Sequence, residues 1–265
     1  MAGTKTLYAW ARPLKIAPFF DHTWVTDYEP ASQYTTIDEV IAADQSCWYC
    51  WGDFHDDNYR AIGTIDGNEG QSSCIAAPNA EDAHGTIYHY AFNGVCHQLA
   101  NQVLYSSQTS PHGPLIVSDA KGYRISSFLY KTYGRPDSRW RVLARKCVDV
   151  ASVLSGMDDF IDHLMSFEAG FMEDPEMDRL LALREDFAAG LRTMSEDQGV
   201  MSNPEELAGR INELITQLMS RAADMLGKER YQMIFEHEAY SPAPLVEPHI
   251  LTGYFERLGG DFRPY

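Results

Sequence analysis

Near residue 149 the spacing of apolar residues along this chain changes from short, strand-like runs to a helical period. A helix with one apolar stripe cannot stand alone in water, so this half has to pack its stripes against each other or against a neighbour. One stripe runs through Val150, Val153, Leu154, Met157, Ile161, Leu164 and Met165. A second holds Met177, Leu180, Leu181, Phe187, Ala188 and Leu191. The third is the best marked. Asn203 is placed to cap it, Pro204 suits its first position, and Glu206 sits where a capping-box acid belongs. Its stripe is Leu207, Ile211, Leu214, Ile215, Leu218, Ala222 and Met225, and Gly227 ends it. A short fourth helix spans 229–238 and leads into a tail punctuated by proline, SPAPLVEPHI. The methionines on these stripes suit an adaptable groove or a homodimer interface, although a methionine-containing core explains them as well.

The first 145 residues read differently. Thr23 to Tyr28 (TWVTDY), Cys47 to His55 (CWYCWGDFH) and Gly85 to Phe92 (GTIYHYAF) mix β-branched and aromatic residues as strands do. The Gly-, Asn- and Ser-rich stretch from Gly63 to Ala80 reads as a loop, and Ile37 to Ala43 as a short helix. Leu115 to Ser118 and Tyr123 to Tyr130 fit either a strand or a helix. A helix starts at Asn93-Gly94, with apolar residues at 95, 96, 99, 100, 103 and 104. The expectation is an α+β fold: a small antiparallel sheet with a central helix carrying Cys96 over residues 1–146, and a helical accessory region over 147–265.

Charge limits the partners. With 21 basic and 38 acidic residues the formal net charge is −17, which repels phosphate backbones and anionic membranes. The most basic stretch, Arg135 to Lys146, is interrupted by an acid and by apolar residues and reads as a solvated face. Five cysteines form no disulfide-like framework, which points to a reducing compartment. No stretch is apolar enough for a membrane span, and the N-terminus lacks the apolar core of a cleavable leader. These features predict a cytoplasmic protein acting on a small molecule or peptide, with no nucleic-acid partner, no membrane span and no cofactor.

Chemistry concentrates in the first region, which holds six of the nine histidines and four of the five cysteines. Cys96 follows a strand-like run and a Gly turn, and falls in the first turn of a helix. Unpaired N–H groups and the helix dipole there favour a thiolate, so a lowered thiol pKa and an oxyanion hole are expected. The competing explanation is a buried structural cysteine, since Cys96 shares the apolar stripe of Leu99, Ala100 and Val103. A thiol nucleophile needs a base, and the base needs an orienting group. His22, opening the strand DHTWVTDY, is the best base, and Asp53 or His55 at the end of the next strand-like run is the orienter. Trp24, Trp51, His84 and Gln98 are assigned to substrate binding, with His84 also a candidate base and Gln98 or Asn101 a candidate oxyanion donor. Each has a structural alternative: a capped turn for His22, polar strand ends for Asp53 and His55, a solvated helix face for Gln98 and Asn101. His97 points about 100° away from Cys96 and reads as structural.

The order of His on an early strand, a polar residue on the next strand, and Cys opening a helix resembles the circularly permuted branch of the NlpC/P60 papain-like superfamily, which includes lecithin:retinol acyltransferase-like proteins. The resemblance covers at most residues 12–130. It implies a hydrolase or acyltransferase with Cys96 as nucleophile, His22 as base and Asp53 or His55 as third member. The sequence departs from the family in the long 29–46 segment between the first strands and in the His-Gln that follows Cys96. Two other classes stay open. Cys47, Cys50, His55, His84, His89, Cys96 and His97 offer ligands for zinc or iron, and Trp24, Trp48 and Trp51 would suit a binding module without catalysis.

Overall fold

A computed structural model describes residues 4–26, 29, 59–68, 89–107, 115–135, 157–167 and 171–257. It is α+β: a three-stranded antiparallel sheet with helices that are mostly C-terminal. The strands are β1 (Thr4–Pro13), β2 (Asp21–Thr26) and β3 (Arg60–Asn68), in the order β2-β1-β3. The helices are α1 (Cys96–Ser107), α2 (Tyr123–Tyr130), α3 (Asp159–Met165), α4 (Asp174–Glu196), α5 (Gln198–Met201), α6 (Pro204–Leu226), α7 (Lys228–Phe235) and α8 (Pro248–Arg257).

The register gives the sheet two unlike faces. Ala9 pairs with Val25 and Ala11 with Thr23, while Tyr8 pairs with Thr26, Trp10 with Trp24 and Arg12 with His22. Because side chains alternate along a strand, the first set, with Leu7, forms one face and the second set the other. Leu7, Ala9 and Val25 join the main hydrophobic core beneath α1. The opposite face is aromatic and cationic: Trp10 stacks on Tyr8, His22 stacks on Trp24 at 5.8 Å between centroids, and the Trp10 indole N–H donates to Thr26 at 2.8 Å.

The helices follow their stripes. Asn203 accepts the Glu206 N–H at 3.2 Å, Pro204 opens α6 and Gly227 closes it with φ 76°. Glu206 does not complete a capping box, because its carboxylate is taken by Arg210 one turn on, at 2.8 Å. At the centre of this half α6 packs against α4, α5, α7 and α8. Their buried side chains and those of the sheet form a single hydrophobic cluster from Leu7 to Phe255.

Three local expectations are corrected. Residues 60–68 belong to β3, inside the stretch read as a loop from Gly63. Pairing with β1 supplies the backbone bonds that a Gly-rich composition hides. Residues 91–93 turn instead of extending: Tyr90 bridges to Gly94, and Ala91 adopts φ 71° with its carbonyl bonded by the Tyr130 hydroxyl at 2.7 Å. The proline-punctuated tail contains α8, with Pro248 at its first position. The strand-like run 47–55 and the helix at 37–43 lie outside the described residues. No described helix is long and apolar enough to cross a membrane.

Candidate active site

Among the described residues β1 is the strand that pairs with β2. The α1 helix packs against β2. The Cys96 sulfur lies 3.9 Å from the Asp21 carbonyl oxygen, and the backbone of Thr23 and of His97 hydrogen-bonds it in the thiolate form. Asp21 and Thr23 flank His22, so the thiol sits beside the backbone segment that carries the histidine.

The turn entering α1 is held by its own side chains. Asn93 accepts the His89 N–H at 3.0 Å and donates to the Arg135 carbonyl at 3.0 Å. Gln98 accepts the Val95 N–H at 3.1 Å and donates to the Ser126 hydroxyl and the Lys131 carbonyl, each at 3.2 Å. A Cβ on Gly94 would lie 2.9 Å from the Gln98 Cβ, so the turn closes only on glycine. Gln98 is therefore a clamp on the helix start, with both amide hydrogens and its oxygen committed, and not an oxyanion donor. Asn101 is likewise buried, bonded to Tyr123, Thr132 and Val117, so neither residue belongs to a solvated face.

His97 bridges β2 to α2. Its Nε2 lies 2.9 Å from the Asp21 carbonyl and its Nδ1 2.7 Å from the Ser126 hydroxyl. Burial pushes its pKa down to about 4, leaving a neutral ring. A carbonyl only accepts, so Nε2 carries the proton and Nδ1 accepts from Ser126.

His22 is completely buried, with its pKa held well below the ordinary value by burial first, and then by Arg12, His97, His249 and Lys15. Its Nδ1 lies 4.0 Å from Oε1 of Glu247, a carboxylate that is also fully buried. The other carboxylate oxygen, Oε2, is 3.5 Å from Nδ1 of His249, which reaches the surface. The Glu247 N–H donates to the Tyr90 hydroxyl at 3.1 Å. Glu247 also acts electrostatically on Cys96 and on Tyr90, raising the pKa of each.

The expected low thiol pKa is overturned. Burial dominates and, reinforced by Glu247, pushes the Cys96 pKa up to about 12 despite the backbone hydrogen bonds that favour the thiolate. At neutral pH both Cys96 and His22 are uncharged. The two are not a preformed thiolate–imidazolium pair, so attack by this thiol would require deprotonation to accompany bond formation.

Of the residues singled out from the sequence, Cys96, His22, Trp24 and Gln98 are described. Asp53, His55, Trp51 and His84 lie outside the described residues, as do Cys47 and Cys50 of the metal reading. Trp24 is fully buried and serves as the wall on which His22 stacks. His89 bonds the Tyr254 hydroxyl through Nδ1 at 3.0 Å, tying the turn to α8. Among the described residues no three His, Cys, Asp or Glu side chains stand together as a metal-holding group. The residue that sequence reasoning missed is Glu247. Its only signal is an isolated acid between Leu245-Val246 and Pro248. Compared with family models, curated proteins and solved structures, the chain matches none of them.

Proposed function

We propose that this protein is a cysteine-dependent hydrolase or acyltransferase acting on an amide, ester or thioester carbonyl, with Cys96 as nucleophile and His22 as base. The observation that carries this reading is the seating of the thiol: Cys96 opens a helix against the strand that bears a buried histidine, with a buried carboxylate beside that histidine. The order of these residues is also that of the permuted NlpC/P60 enzymes the sequence resembles.

In this mechanism the carbon–sulfur bond forms as the thiol proton passes to His22, and the carbonyl electron pair moves onto oxygen. The N–H groups of Thr23 and His97, which favour the thiolate on Cys96, are the donors available to the developing oxyanion. Collapse of the tetrahedral intermediate expels the amine, alcohol or thiol, which takes the proton from His22. Water or an acceptor amine then attacks the thioester, with His22 as base again, and frees Cys96. Cys96 is only 3% exposed, so the cycle includes an opening step that admits substrate.

The test uses p-nitrophenyl acetate as an acyl donor and intact-mass analysis with peptide mapping. Cys96 is expected to carry the acetyl group, and Cys96→Ala to abolish both acylation and p-nitrophenol release while its circular dichroism stays unchanged. Acylation spread evenly over Cys47, Cys50, Cys74 and Cys147, or undiminished in Cys96→Ala, would sink the proposal.

A further inference from the structure

We infer that Glu247, delivered by the C-terminal segment, is the positioning residue of His22, so that the helical half completes the active site. This rests on the assignment of Cys96 and His22 above and adds the third member of the site.

The segment is fastened where it needs to be fixed. Asn212 of α6 clamps Val246 from both sides, donating to its carbonyl at 2.8 Å and accepting its N–H at 2.9 Å. One turn along α6, the Thr216 hydroxyl accepts the Ala243 N–H at 3.0 Å. On the other side of Glu247, Pro248 begins α8, and Leu251 N–H bonds the Glu247 carbonyl at 3.1 Å. The Tyr90 hydroxyl, from the turn before Cys96, takes the Glu247 N–H. Glu247 is thus held from α6, from α8 and from the nucleophile turn. Asn212 spends its amide on a backbone pair next to the acid, which fixes the carboxylate's approach to His22.

The charges explain why an acid is needed. Arg12 and Lys15 from β1 and the turn after it, His97 from α1 and His249 from α8 all oppose a positive charge on His22. When the Cys96 proton moves to Nε2 of His22, Nδ1 carries a proton facing Glu247. A carboxylate 4.0 Å away favours that imidazolium and draws it into a charge-assisted hydrogen bond. The same carboxylate opposes a free thiolate at Cys96. Its net effect is to favour concerted transfer over resting ionisation.

This gives a signature of opposite signs. In the full-length protein, Glu247→Gln is expected to lower acyl transfer from p-nitrophenyl acetate at neutral pH by about tenfold or more. In the same variant, the pH midpoint for iodoacetamide alkylation of Cys96 should move to lower pH, because the opposing charge is gone. The His22 titration, followed by NMR, should also fall, and Glu247→Asp should restore part of each effect. A carboxylate that does not position His22 would leave acyl transfer in Glu247→Gln at the wild-type rate. Unchanged midpoints for both Cys96 and His22 in a folded Glu247→Gln would overturn the inference. If that variant does not fold, Asn212→Ala, which releases the segment and keeps the acid, decides: unchanged acyl transfer and unchanged His22 titration would overturn it. Loss of acyl transfer in His22→Ala with wild-type rates in Glu247→Gln sinks this inference alone. Wild-type rates in His22→Ala sink the assignment of the base.

Discussion

The two halves of this molecule bury different things. Among the described residues the buried polar side chains are Arg12, Asp21, His22, Thr23, Thr26, His89, Asn93, His97, Gln98, Asn101, Gln102, Ser126, Ser127, Thr132 and Glu247. All but Glu247 lie in the sheet, in α1 and the turn before it, and in and just after α2. The helices α4 to α7 bury Leu, Ile, Phe, Met, Val, Ala and Tyr, and send their charges outward. Burying polar groups costs free energy unless each finds a partner, so a region that does it repeatedly is specifying a geometry more than it is gaining stability. The helical half does the reverse. Among its described residues the one buried acid, Glu247, faces His22 of the other half, which makes the division chemical and not spatial.

The contrast can be broken at its strongest point first. Sheet and helices share one hydrophobic cluster, so damage to the helical side should unfold both. Phe187 is fully buried on α4 with the Tyr130 ring of α2 against it at 5.1 Å. Phe187→Ala is expected to cost about 3–5 kcal/mol. Tryptophan fluorescence, to which Trp10 and Trp24 of the sheet contribute, and helical circular dichroism should then lose signal in one transition. Two separated transitions would show that the halves are independent.

A smaller effect belongs to the polar half. Folded His97 resists protonation until about pH 4, whereas the unfolded chain takes up the proton near 6.5. The unfolded state therefore binds more protons in that window. Stability should fall as pH drops from about 6.5 to about 4, by about 3 kcal/mol from this residue, and His22 acts in the same direction. Urea titrations across that range check it. In His97→Gln the slope should become shallower, and a slope identical to that of the unmodified protein would refute the assignment.

The smallest effect sharpens the contrast from the helical side. Asn203→Ala removes the cap on Glu206 N–H and should cost about 1 kcal/mol, read as a fall in thermal midpoint. Acyl transfer should stay at its original rate, because fraying is confined to the first turn of α6 and Asn212 lies about two turns further along. A matching fall in acyl transfer would mean that the C-terminal segment is less firmly held than its hydrogen bonds indicate.

Local signals were legible where they depend on neighbours in sequence. The α6 helix could be read almost to the residue, because a cap, a proline and a closing glycine act within a few positions and its stripe repeats over about five turns. The placement of Cys96 at the first turn of α1 was legible for the same reason. β1 was not, since Thr4–Pro13 becomes a strand by pairing with β2 on one side and, on the other, with β3, which lies far along the chain. The Gly-rich β3 was hidden likewise.

The sequence by itself determined the α+β class, the helical second half, the capped ends of α6, and a cysteine at a helix start preceded by a histidine-bearing strand. Tertiary structure alone decided that the start of α1 packs beside β2, that burial raises the Cys96 pKa instead of the helix start lowering it, and that Glu247, far downstream in the helical half, stands beside His22. The physical reason is range. Capping and periodicity act over a turn or two of chain, whereas desolvation and Coulomb interactions depend on what the folded chain brings within a few ångströms, wherever it lies in the sequence.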